Sequence, residues 1–167
     1  MRKVLLAVLA LVFAIPAHGD PAPPAEPWRP VRVFIGSWTG SRGVAEFTVK
    51  VDRKYASASD RRQLVVTEKA NGHSSPEMWG AIAFDAGRQT LVIRLAENGA
   101  SDLVLEPGDP GELEATRLVF ATPAGSAHPA RITYEQVNWN EFVERLEEAK
   151  DGGQFAVVSE THFKRKS

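Results

Sequence analysis

Phe34-Ile35-Gly36-Ser37-Trp38-Thr39-Gly40 opens the first long strand-like segment of the chain. Pro30, just upstream, suits the first turn of a short helix, where its missing N–H needs no partner. Val31, Phe34 and Ile35 then recur at spacings of three and four, one face of that turn. Gly36 is a natural stop, since glycine accepts left-handed dihedrals without a Cβ clash. Trp38 follows on the entry to a strand. An apolar plug, a glycine and a tryptophan entering a strand are what the closed end of a barrel needs.

Downstream, Phe47, Val49 and Val51 alternate with Glu46, Thr48 and Lys50, the period of a half-buried strand. Residues 37–51 read as strand, and Gly40 and Gly43 within them predict a bulge or a sharp coil. Residues 52–62 are polar, with Ala56-Ser57-Ala58-Ser59 near the middle, and read as a loop. Further strands are predicted over 63–70, 77–85, 89–96, 101–106, 113–121 and 130–137. Turn signals separate them, among them Asn71-Gly72 and Pro107-Gly108-Asp109-Pro110-Gly111. Residues 140–150 have high helix propensity, but Asp151-Gly152-Gly153 is a hairpin signal with a clear strand, 154–164, beyond it. A strand at 140–150 would pair across that turn, so a strand is predicted there. The result is an all-β, antiparallel sandwich or barrel and not a set of βαβ units.

In the last strand Phe155, Val157, Ser159, Thr161, Phe163 and Arg165 share one parity, and Ala156, Val158, Glu160, His162 and Lys164 the other. The second set becomes charged towards its end, so the first is expected to face inwards. Inward hydroxyls at Ser159 and Thr161 suit a cavity better than a solid core.

Residues 1–19 have the pattern of a signal peptide. Arg2 and Lys3 precede an apolar run, Val4 to Ile15, too short to span a bilayer comfortably, and Ala17 and Gly19 fit a cut after Gly19. The expected product runs from Asp20, 148 residues, with 18 basic against 21 acidic side chains. A net charge of −3 gives solubility and no nucleic-acid footprint. No further membrane span is expected after cleavage. Residues 20–30 hold five prolines and read as a linker, leaving 31–167 as one domain. With no cysteine, the domain must rely on its core without disulfides.

Gly36-x-Trp38 at the first strand, with Arg165 near the end of the last, resembles the recurring pair of the calycin superfamily. More closely, the chain is similar to bacterial lipocalin-like domains of unassigned function: an apolar turn, Gly-Ser-Trp, a meander, a late Asp-Gly hairpin and the ending Phe163-Lys164-Arg165-Lys166. The resemblance covers roughly residues 31–166. It implies an up-and-down β-barrel of about 8–10 strands with a short N-terminal helical turn and one open mouth. It also implies that Arg165 stacks across Trp38 at the closed end, as a structural pair.

A barrel of this kind holds a small ligand or is filled by side chains. The expected cavity wall is Phe47, Val49, Ile93, Tyr134, Phe155 and Val157, with Ser159 and Thr161 as polar guides. Glu68 shares parity with Leu64 and Val66 and is expected to point inwards, where it can orient a ligand. The implied function is the binding of a small hydrophobic or amphipathic molecule in a periplasmic or secreted space. The alternative is a filled barrel acting through protein contacts, as an inhibitor or envelope assembly factor using the proline-rich arm. No catalytic motif is present: Gly-x-Ser-x-Gly, His-Glu-x-x-His and every cysteine motif are missing. No metal and no cofactor is expected. Nitrobindin-like barrels share the Gly-x-Trp opening and hold haem on a histidine of a late strand, but here His162 falls on the outward parity.

Overall fold

A computed structural model describes residues 27–167 except 45–46, 59–62, 72–76, 97–101, 107–115 and 151–152. The predicted signal peptide at 1–19, linker residues 20–26, His73 and the 107–111 turn lie outside the described residues.

Ten described strands form a closed antiparallel barrel. They are β1 (Gly36–Val44), β2 (Phe47–Ser57), β3 (Gln63–Ala70), β4 (Glu77–Asp85), β5 (Thr90–Leu95), β6 (Leu103–Leu105), β7 (Arg117–Ala121), β8 (Ala130–Asn138), β9 (Glu141–Ala149) and β10 (Phe155–Arg165). Each strand pairs with its neighbour in sequence, and β1 pairs with β10, so no edge is left open among them. Residues 141–149 form a strand despite their helix propensity, because both neighbours, β8 and β10, pair with it.

A 3₁₀ turn, Arg29–Phe34, closes one end, with proline in its first positions. Val31 and Phe34 are buried and plug the barrel. Ile35, expected on the same face, is 41% exposed because the chain is already extended there. The Trp38 indole Nε1 donates to the Phe34 carbonyl at 2.7 Å. Arg165 lies 4.2 Å over the Trp38 ring and donates to the carbonyls of Val33 at 2.7 Å and Ile35 at 3.0 Å. Its fork thus satisfies carbonyls that the short turn leaves unpaired. Gly36 has φ +134°, and a Cβ there would stand 2.8 Å from Arg165 Nη1. Above the plug Phe142 packs against Phe34, Trp38 and Phe163 with ring centroids 4.9, 4.7 and 4.8 Å away. This half of the barrel is filled.

Three expectations fail on register. First, β2 runs on through Asp52-Arg53-Lys54 to Ser57, so the loop expected from residue 52 is strand instead. Val51, Arg53 and Tyr55 are all buried and continue the inward parity of Val49. Second, β1 keeps an unbroken register with β2 and β10, so Gly40 and Gly43 mark no bulge. A Cβ on Gly40 would meet Phe163 Cδ1 at 2.8 Å and the His162 carbonyl at 2.9 Å, so close packing is what requires the glycine. Third, the register of β10 on β9 shifts between Val157 and Ser159. A bulge reverses the faces on its two sides. Ser159, Thr161 and Phe163 face inwards as expected, whereas Phe155 and Val157 lie on the outer surface, Val157 opposite Glu147 and 56% exposed. The Phe155 ring carries Arg131 4.5 Å above it.

Candidate functional site

The other half of the barrel is open. Between the strands at this end lies a cavity of about 420 Å³. Ala70, Trp79, Leu95, Ile132 and Leu146 supply apolar wall, with Met78 beside them, while Arg42, Glu68, Glu77, Glu144 and Ser159 supply polar groups.

Its floor is a buried charge network. Arg53 is 1% exposed, in the middle of β2. Its Nε and Nη2 donate to Glu68 Oε2 at 2.8 and 2.5 Å, and its Nη1 donates to Glu144 Oε2 and, at 3.1 Å, to the Tyr55 hydroxyl. Arg42, on β1, donates from Nη2 to the same Glu68 oxygen at 2.6 Å and from Nε to Thr161 Oγ1 at 3.2 Å. The Arg53 guanidinium is sandwiched, 4.3 Å from the Trp79 ring and 4.8 Å from that of Phe163. Strand parity puts these groups together. Arg42 stands opposite Val49 of β2, Arg53 opposite Glu68 of β3, and Glu144 opposite Thr161 of β10. A register shift between Val66 and Thr67 alters the pairing of β3 with β4 beside Trp79.

The titrations follow from this packing. Burial works against the Arg53 charge, but Glu144, Tyr55 and Glu68 outweigh it and hold its pKa well above the ordinary arginine value. Burial likewise works against the Glu68 carboxylate, yet Arg53 and Arg42 hold its pKa below the usual range. Burial pushes the Tyr55 hydroxyl up to about 12 and holds Tyr134 well above its ordinary value. The Tyr134 hydroxyl is buried beside that of Tyr55. The floor therefore presents the Arg53 guanidinium and the Glu68 carboxylate in their charged forms at neutral pH.

Of the expected cavity wall, only Ser159 borders this space. Thr161 is buried below it as the acceptor for Arg42. Ile93 and Tyr134 are fully buried in the filled half and Val49 packs against that core. Phe47 has inward parity but stands at the tip of the β1–β2 hairpin, past the packed wall, and is 74% exposed. Phe155 and Val157 are outside. Glu68 points inwards, as its parity indicates. Arg42, Arg53 and Glu144 are the members that the sequence reading missed; Arg53 shares parity with Val49 and Val51, and Glu144 with Phe142 and Leu146. His128 and His162 are both exposed, His162 Nε2 lying 2.8 Å from Glu160 Oε1. Among the described residues no group of three or more metal-binding side chains comes together.

No protein-family model matches the chain, and no curated protein matches it. Its fold is similar to the crystal structure of Rv2717c from M. tuberculosis, with a TM-score of 0.52 and 10% sequence identity over 86% of this chain and 99% of that one. An S-type phycobiliprotein lyase, CPES, from Guillardia theta aligns with a TM-score of 0.45 and 9% identity over 81% of this chain and 89% of that one. At such identities the first likeness speaks for the barrel fold alone.

Proposed function

We propose that this is an exported, lipocalin-like barrel of the calycin type that binds one small amphipathic molecule in its open half. The observation that carries the reading is the cavity of about 420 Å³ with apolar walls over a buried, paired charge network. That volume lies in the range of about 300–1,000 Å³ usual for small-molecule sites. A barrel meant only as a scaffold gains nothing from burying Arg53, Glu68 and Glu144, since paired charges seldom stabilise more than apolar packing does. The apolar part of the ligand lies along Leu95, Ile132 and Leu146, where burial contributes roughly 25 cal/mol per Å². Its polar end meets the floor. Calycin membership is supported by Gly36-x-Trp38 with Arg165 stacked on the indole. Export is supported by the signal-peptide pattern of residues 1–19.

Native mass spectrometry of the protein recovered from producing cells tests both parts. The expected species is a chain beginning at Asp20, carrying one equivalent of a small molecule that dissociates on collisional activation. Recovery of the full-length chain inside the cell counts against export. A ligand-free chain that also refuses apolar probes counts against the cavity.

A further inference from the structure

The floor of the cavity also specifies the chemistry of the ligand's inner end, an inference that rests on the binding reading above. We infer that this end is an uncharged hydrogen-bond donor, a hydroxyl or an amide N–H, received by the carboxylates of Glu68 and Glu144.

Charge balance excludes an ion. Arg42 and Arg53 face Glu68 and Glu144, two positive groups against two negative. Every one of the four is already engaged. Arg53 is spent on both carboxylates and on Tyr55, under a cover of Trp79 and Phe163. Arg42 is spent on Glu68 and Thr161. An ammonium or carboxylate head entering this space loses its hydration and finds no unpaired counter-charge, which is costly in a low-dielectric site. Glu77 borders the cavity too, but it is exposed at the rim, where water screens it.

The pattern of lone pairs selects a donor. The hydrogen bonds that described residues make to these carboxylates fall on Oε2 of Glu68 and Oε2 of Glu144. An ionised carboxylate has two acceptor oxygens, so Oε1 of each retains its lone pairs. Both residues border the cavity, and Glu144 is 5% exposed, so their carboxylates are reached from the cavity and by little bulk water. An ether or ester head offers the carboxylates nothing, and leaving a buried acceptor without a partner is what makes such a site discriminate.

Four ten-carbon probes separate the possibilities: 1-decanol, decyl methyl ether, decanoate and decylammonium, each titrated calorimetrically against the protein. The expected order has decanol first, with the ether at least fivefold weaker and each ion at least tenfold weaker. In Glu144→Gln, which keeps an acceptor oxygen but removes the charge balance, decanoate should gain on decanol. The wild-type ranking decides the matter even if that variant does not fold. An ether equal to decanol overturns the donor assignment. An ion that binds as well as decanol or better overturns the uncharged assignment. Both of those results leave the binding cavity standing, whereas refusal of all four probes removes the cavity reading and this inference with it.

Discussion

Replacing Arg53 by methionine removes one charge from the floor and little volume. The methionine chain fills much of the same slot between Trp79 and Phe163, where a thioether packs well against aromatic rings. What is lost is the counter-ion of Glu144 and one of the two held by Glu68, whose side chains are 6% and 10% exposed. Breaking a buried pair in this way costs about 3–5 kcal/mol, because the remaining charge stays buried. For a domain of this size that is a fall in Tm of about 6–20 °C. The pH dependence identifies the cause. In the native protein Glu68 titrates below its ordinary value of 4.5, so its contribution is present above that value and is lost as the pH falls through the lowered one. In Arg53→Met Glu68 keeps Arg42 as its one remaining counter-ion, and its folded-state pKa rises. That variant's deficit is therefore largest at neutral pH and shrinks on mild acidification. The combination Arg53→Met, Glu68→Gln, Glu144→Gln should recover at least half the loss. Urea unfolding followed by tryptophan fluorescence at several pH values measures all of this. A single-variant loss below about 1 kcal/mol, or a deficit that grows as the pH falls, would refute the assignment of a buried ionic floor.

Four further outcomes follow from the same geometry. Gly40→Ala places a Cβ 2.9 Å from the His162 carbonyl and should cost about 1–3 kcal/mol by thermal melting; an unchanged melt contradicts the close strand packing. Arg165→Met keeps the stem on Trp38 but loses the bonds to Val33 and Ile35, and should cost about 2–3 kcal/mol in chemical denaturation with a changed near-ultraviolet signal from the indole. Glu68→Gln should flatten the fall in stability on acidification, measured as the midpoint of urea unfolding between pH 3 and pH 6; an undiminished slope assigns the acid lability elsewhere. Val157→Arg should change stability by no more than about 0.5 kcal/mol and leave probe uptake intact, because that side chain is on the outer face.

The barrel was legible because its signals are local and repeated. Period-two alternation, turn residues at short intervals and Gly36-x-Trp38 each constrain a few residues, and together they allow one meander. Residues 141–149 were legible only through their partner, since the hairpin signal outweighs helix propensity there. The binding half was much less legible. Arg53 sits in Asp52-Arg53-Lys54, a run whose composition resembles a loop, and only the parity carried on from Val49 and Val51 marks it as inward. Glu144 hides in a charged segment for the same reason. Phe155 and Val157 were misplaced by a bulge that leaves no mark on composition: one extra residue near Val158 reverses the face of everything before it. The filled half, in contrast, draws on large apolar side chains whose burial needs no register to be foreseen.

Calorimetric titration of 1-decanol into the wild-type protein and into Leu146→Trp tests whether the open half of the barrel binds a ligand. Leu146 borders the cavity, and an indole there fills the space that the ligand would occupy. The wild type should bind one equivalent, and binding should be lost in the variant while it still unfolds cooperatively near the wild-type temperature. No heat of binding in the wild type, or equal binding in both proteins, would contradict this.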